Sequence, residues 1–479
     1  MKGSRWGGWC VAGLFYLFDV FLRLTVDVIT SELQVEFKLS ADGVSSAFSS
    51  SFFYGYAAMQ MPVGFLLDKL GPRLTIILAS LLSCFGCILF SCTETVWLGT
   101  VARVLSGIGC GCGWLGAVKV TRNSFGVEDT SKVRAVFAVT CMLGGVGGLI
   151  SQAPFQILVR GVGWRNAFRV ASGVPVLIAL LSFCFVGDVA YEERKVVRDA
   201  VGGNSAKVVE DGQHPMSTHP LAAPLLLLPS TLETQDLEPP QSAAASSSSS
   251  SRALRSCLKT PRMWCYALYL GGTDAPFETF AGLWGVAFLT QVYGWTTSKA
   301  ATLTTVVVVL STVSQLITPP LQAYFQTVRA KLHVLLVLAL VGFLSFLPFL
   351  LAPLSTPPPG GDMAAYAACV TLGLSVASCT IIWSIISSDP LCRGTADTGI
   401  ISGAVNTLCI AYDAVIQQIT GVVLTAMWNG GKNARSEPVY GAEAFSRAFM
   451  VLAGSFLLAA VSSSLATCDR SHVDGRQEK

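Results

Sequence analysis

Three ionisable residues stand close together in the first apolar stretch of the chain: Asp19, Arg23 and Asp27, at positions i, i+4 and i+8. Four-residue steps place neighbours one helical turn apart, so the three form a stripe on a helix. A cation between two carboxylates reduces the cost of holding all three away from water. Within an apolar segment such charges face a cavity or one another. Either the stripe lines a polar path, or it is a structural salt-bridge row with Asp27 at the membrane surface. A second pair, Asp274 and Glu278, lies one turn apart at about the depth of Asp19. Two carboxylates this close suit reversible protonation, while Pro276 and the Gly271-Gly272 pair beside them equally suit a helix break. A third polar group comprises Asn406, Tyr412, Asp413, Gln417 and Gln418, with Asn406, Asp413 and Gln417 on roughly one face. Residues of this kind either contact a solute or bond helix to helix.

What positions these groups follows from composition. The 479 residues are 52% hydrophobic and only 13% charged, with a mean hydropathy of +0.58. Soluble domains carry about 25% charged residues, and a single soluble core stops growing at about 250–300 residues. The apolar surface must therefore face lipid. A bilayer-crossing helix takes about 20 apolar residues, which predicts spans near 9–29, 43–66, 74–92, 96–119, 135–158 and 167–187. A second series is predicted near 263–290, 299–322, 332–352, 364–387, 398–427 and 444–466. The expected fold class is an all-α membrane protein, with twelve transmembrane helices in two six-helix pseudo-symmetric bundles. The first span has no small-residue cleavage site beside it and reads as a retained membrane helix.

The expected domains are a first bundle over 1–188, a linker over 189–260, and a second bundle with a short tail over 261–479. The linker opens on Glu192-Glu193-Arg194-Lys195 and contains Pro239-Pro240 and the serine run Ser246 to Ser251. Its apolar run Leu221–Pro229 is too short to cross, so composition predicts disorder. With the N-terminus in the cytoplasm, 22 Lys and Arg fall on that side and 8 on the other. The positive-inside rule thus places both termini and the linker in the cytoplasm. The plasma membrane and an endolysosomal membrane both remain open.

Several functions are excluded or disfavoured. A net charge of +3 without a basic stripe gives no basis for nucleic-acid binding. The 15 cysteines fall mostly in apolar runs and form no metal or disulfide framework, so neither metal nor cofactor is expected. His214, His219, His333 and His472 are scattered through linker, span edge and tail, leaving no constellation for an enzyme. Glycines gather in the fourth span (Gly107, Gly109, Gly111, Gly113) and the fifth (Gly144, Gly145, Gly147, Gly148), for close helix packing or for flexing.

After the second span stands Gly64-Phe65-Leu66-Leu67-Asp68-Lys69-Leu70-Gly71-Pro72-Arg73. It resembles the loop signature of the major facilitator superfamily, G-x-L-x-D-R-x-G-R-R, departing at Lys69 and Pro72. Arg103-Val104-Leu105-Ser106-Gly107-Ile108-Gly109 is similar to the family's R-x-x-x-G-x-G element, and Gly163-Trp164-Arg165-Asn166-Ala167-Phe168 to its G-W-R-x-x-F. The antiporter element of span five is not reproduced, and the second-half loop copy keeps only Arg329 and Lys331. The stretch Tyr54 to Asp68 resembles bacterial and protist permeases, with lysosomal dipeptide transporters as distant relatives.

The resemblance implies a secondary active transporter whose halves rock around a cavity lined by spans 1, 4, 7 and 10. On that basis Arg23 would hold a substrate carboxylate, with Tyr54, Trp383, Asn406 and Gln417 as further substrate contacts. Asp19, Asp274 and Glu278 would carry the coupling proton, with Arg103 modulating its release. Gly64, Asp68, Lys69, Gly71 and Arg73 would form a conformational latch, in which Gly64 allows close helix contact. The expected cargo is a small carboxylate-bearing solute, namely a dipeptide, amino acid or organic acid. The alternatives are a facilitative uniporter of a neutral solute such as a sugar, and a non-transporting receptor or accessory subunit. Partners are the solute, protons and the lipid bilayer, in a monomer or homodimer.

Overall fold

The computed structural model describes residues 5–125, 130–187, 259–322, 324–325, 327–354, 361–388, 398–433 and 438–468. The expected linker, 189–260, lies outside the described residues except at its last two positions.

Helices account for nearly everything described, as a lipid-embedded chain requires, because only closed hydrogen bonding satisfies a backbone shielded from water. Span 1 is one helix, Arg5–Phe37. Span 2 consists of Ala41–Val44, a π turn at Ser45–Ser50, and Ser51–Lys69. Span 3 is Gly71–Ser91, and span 4 is Val96–Cys110 followed by Gly113–Phe125. Span 5 is Thr130–Ser151 and Ala153–Val162, and span 6 is Trp164–Phe185. Span 7 repeats the plan of span 2, with Pro261–Thr279, a π turn at Phe280–Trp284, and Gly285–Val292. Spans 8 and 9 are Thr297–Leu321 and Val328–Leu350. Span 10 is Gly361–Ser375 and Ser378–Ser388, span 11 is Thr398–Ala426, and span 12 is Ala442–Cys468.

Ten of these are long and apolar enough to cross a membrane by length and composition. The remaining two are spans 2 and 7, each divided by a π turn. Large apolar side chains such as Ile157, Leu180, Phe183 and Val337 point outward, which is stable only against hydrocarbon. The chain is an all-α integral membrane protein of twelve spans in two bundles.

The bundles meet where span 1 packs on the π turn of span 7, span 2 on span 11, and span 5 on span 8. Most cross-bundle hydrogen bonds lie toward the end remote from the N-terminus, here the far end. Gln34 donates to Tyr440 Oη at 2.8 Å, Thr425 to Asp42 Oδ1 at 2.7 Å, and Ser50 to the Ala414 carbonyl at 2.8 Å. Ser49 also bonds to Gln417. Toward the other end, Asn406 donates to Gln60 Oε1 at 2.8 Å.

Each π turn widens the helix and leaves a carbonyl for an outside donor. Arg103 Nε reaches the Phe48 carbonyl at 2.7 Å, and Gln152 Nε2 reaches the Ala281 carbonyl at 3.0 Å. The far end of each bundle also carries the same brace. Gly163 turns at φ +80°, Trp164 donates to Glu36 at 2.8 Å, and Arg165 pairs with Glu36 at 2.5 Å while lying over the Trp164 ring at 4.4 Å. In the second bundle Gly294 turns at φ +67°, Trp295 donates to Asp362 at 2.8 Å, and Lys299 pairs with Asp362 at 2.6 Å over the Trp295 ring. Positive φ favours glycine at both turns.

Candidate functional site

A cavity of about 120 Å³ lies between the bundles. It is lined from eight spans, the first, second, fourth, fifth, seventh, eighth, tenth and eleventh, rather than only the expected four. Half-bundle contacts bring spans 2, 5, 8 and 11 against the same space, and sequence alone offers no measure of their rotation.

Arg23 lies on its wall, buried. Its Nη2 is 3.4 Å from both oxygens of Asp19, and its Nη1 is 3.4 Å from Glu278 Oε1. Tyr56 donates to Asp19 Oδ2 at 3.2 Å, and the guanidinium lies 4.9 Å from the Tyr56 ring centre. The first of these pairs is the i, i+4 pairing legible in the sequence. The second joins residues on different bundles. Span 4 approaches closely here: a Cβ added at Gly113 would stand 2.9 Å from Asp19 Cβ and Oδ2. The glycine makes room for the carboxylate.

Asp27 stands apart from this pair. It is buried and is absent from the described cavity wall. Eight residues rotate a helix by about 80° beyond two full turns, so the expected three-membered stripe closes on two members.

Asp274 and Glu278 both reach the cavity, as do Trp383 and Asn406. Asp274, Cys409 and Asp413 present an oxygen, a sulfur and an oxygen within 4.8 Å of one another. This trio would supply mixed carboxylate and thiol ligands to a cation. Its sequence signal is the i, i+4 spacing of Cys409 and Asp413 on span 11, read there only for polarity.

Four of the expected residues lie away from the cavity or from the contacts expected of them. Tyr54 is 42% exposed and bonds to Gln418 Oε1 at 2.9 Å, away from the cavity. Gln417 is buried in the seam with Ser49, where it joins the bundles instead of lining the cavity. Arg103 is fully buried and also absent from the wall. Besides the Phe48 carbonyl it reaches the Leu22 carbonyl at 3.3 Å, holding span 1 at the residue before Arg23. Gly64 lies in the helix of span 2 with nothing within 4 Å of an added Cβ among the described residues, so it makes no close helix contact with them.

In the loop signature, Gly71 turns at φ +81°, making the short link between spans 2 and 3. Lys69 lies over the Phe65 ring at 4.3 Å. Arg73 Nε donates to the Val186 carbonyl at 2.6 Å, tying span 3 to the end of span 6. The Asp68 side chain lies outside those described.

The sequence model of the Major Facilitator Superfamily matches residues 9–411. A probable sulfoacetate transporter of Cupriavidus necator is 28% identical over 175 residues, which is 36% of this chain and 40% of that protein. A gentisate transporter of Corynebacterium glutamicum is 25% identical over 185 residues, 38% of this chain and 40% of that protein. The chain thus spans about two fifths of the length of these relatives. Among solved structures, a bacterial homolog of the human lysosomal transporter Spinster, inward-facing and unoccupied, aligns over 98% of both chains. Its TM-score is 0.65 at 14% identity. The nucleoside transporter NupG aligns over 97% of this chain and 99% of its own, with a TM-score of 0.63 at 11% identity. At these identities the likeness is one of fold.

Proposed function

The chain belongs to the major facilitator superfamily, and from that premise we propose that it carries a small organic solute across a membrane by alternating access, coupled to protons through Asp19, Arg23 and Glu278. The solute has the size and polarity of an amino acid, dipeptide or organic acid. It crosses unchanged, so no chemical step is catalysed. The relatives named for sulfoacetate and gentisate support a small organic cargo.

One observation carries the coupling: Arg23 is shared between a carboxylate of its own helix and a carboxylate of the other bundle, at the wall of the cavity. Rocking one bundle against the other changes the distance across that bond. A proton on Glu278 removes the charge that holds it to Arg23, frees the bundles to separate at that level, and leaves on the side to which the cavity then opens. Solute occupies the cavity during the same interval, with Trp383 and Asn406 on its wall. The Lys and Arg bias supports cytoplasmic termini and a cytoplasmic connector over 189–260. The far-end bonds then lie on the extracytoplasmic or luminal side, as in a state sealed to that side. Lys69, Gly71 and Arg73 act at the opposite end as the hinge between spans 2 and 3.

The test is reconstitution into liposomes loaded with a pH-sensitive dye and exposed to a panel of amino acids, dipeptides and organic acids. Solute-evoked proton flux, with uptake driven by a pH gradient, supports the reading. Solute uptake that ignores the gradient removes the coupling, and a panel that evokes neither uptake nor flux removes transport of these solute classes.

A further inference from the structure

The cation of the cavity is already engaged. Arg23 divides its guanidinium between Asp19 and Glu278, and it is the single Lys or Arg on the described wall. On the same wall Asp274 has no ion pair and accepts no hydrogen bond among the described residues. Beside it Asp413 is fully buried with both oxygens unpartnered among the described residues, in the group whose ligand atoms lie within 4.8 Å of one another. Glu278 adds a further unpartnered oxygen, Oε2. A solute anion would have to displace a carboxylate from Arg23 while standing beside Asp274. A solute cation meets a carboxylate that is in no ion pair among the described residues. The remaining wall suits the cation as well, since Tyr16, Trp114 and Trp383 border the same space, and ring faces attract ammonium groups.

We infer that the cavity recognises its solute through a protonated amine held by Asp274 among these aromatic faces, so that the cargo is an organic amine or a zwitterion rather than a plain organic acid. The inference rests on the reading of this cavity as the transport site. It separates solutes by charge: amino-bearing compounds enter, and acids lacking an amine are repelled by the uncompensated carboxylates.

Two half-buried thiols, Cys141 and Cys379, line the cavity and can report its charge. Purified full-length protein is treated in parallel with 2-(trimethylammonio)ethyl methanethiosulfonate and with 2-sulfonatoethyl methanethiosulfonate. In each reaction the thiolate attacks the sulfenyl sulfur, a mixed disulfide forms, and methanesulfinate leaves. Modification at Cys379 and Cys141 is followed peptide by peptide, with rates normalised to those on a small free thiol. The expected result is a preference of at least about ten-fold for the ammonium reagent, within the range by which charged clefts concentrate counter-ions. Asp274→Asn should lower that preference at least three-fold, and Asp274→Glu, which keeps the charge, should retain it. Equal rates, a preference for the sulfonate, a preference unchanged in Asp274→Asn, or thiols reached by neither reagent would each overturn the inference. No uptake enters this measurement. A cation-selective cavity in a protein that moves no solute would overturn the transport reading alone, and proton-coupled uptake of acids through a cavity without that selectivity would overturn this one alone.

Discussion

Arg23 Nη1 lies 3.4 Å from Glu278 Oε1, joining the middle of span 1 to the middle of span 7 across 255 positions of sequence. Both side chains are buried, and the pair stands at the wall of the cavity between the bundles. Replacing Glu278 by Gln keeps the shape and removes the titration. E278Q should lose pH-gradient-driven accumulation by about ten-fold or more while still exchanging solute across the membrane. Uptake driven by a gradient, compared with counterflow in the same liposomes, reads the two apart, and equal loss of both would mean that Glu278 serves structure alone.

The same pair predicts non-additive stability. Removing one partner of a buried ion pair costs about 3–5 kcal/mol, because the other charge is left uncompensated. R23Q should therefore unfold at markedly lower temperature than the parent. R23Q/E278Q should recover part of that loss, giving a coupling of about 0.5–3 kcal/mol. Thermal unfolding in detergent of the parent, both single variants and the double variant supplies the cycle.

Arg103 predicts a different pattern. Its donors satisfy the Phe48 and Leu22 carbonyls, and each buried acceptor left without a partner costs about 1–3 kcal/mol. R103M should lose stability by that order and shift the π turn of span 2. In the molecules that remain folded, the charge selectivity of the cavity should stay that of the parent. A changed selectivity with unchanged thermal stability would return Arg103 to the cavity's own machinery.

Glycines of spans 2 and 4 should differ sharply in tolerance. A Cβ at Gly113 would crowd Asp19 at 2.9 Å, whereas one at Gly64 meets nothing within 4 Å among the described residues. Overpacking of this kind costs about 1–3 kcal/mol, so G113A should destabilise the protein and displace Asp19 from Arg23. G64A should stay within about 0.5 kcal/mol of the parent. Equal melting temperatures for the two variants would contradict the packing of span 4 on span 1.

The far-end seam offers a conformational test. Asp42 and Thr425 bond directly across the bundles. Cysteines placed at both positions should cross-link under mild oxidation and arrest transport, and a reductant should restore it. Cross-linked protein that transports at the parent rate would show that this end need not open.

Hydropathy by itself placed the twelve spans. A span depends on about 20 consecutive residues set against a bilayer of fixed thickness, and local sequence holds that information in full. Local spacing also determined the Asp19–Arg23 pair, since four residues make one helical turn. Tertiary structure alone decided where each side chain pointed. Asp27 shares a helix with Asp19 and Arg23 yet leaves their face. Arg103 turns to a carbonyl released by a π turn that no residue pattern announces. Glu278 meets Arg23, and Asp413 meets Asp274, through the rotation and offset of whole helices. Those rotations are set jointly by packing of all twelve spans, through approaches such as Gly113 on Asp19 and Gly147 on the Leu17 backbone. A property summed over the whole bundle cannot be read from any one segment of it.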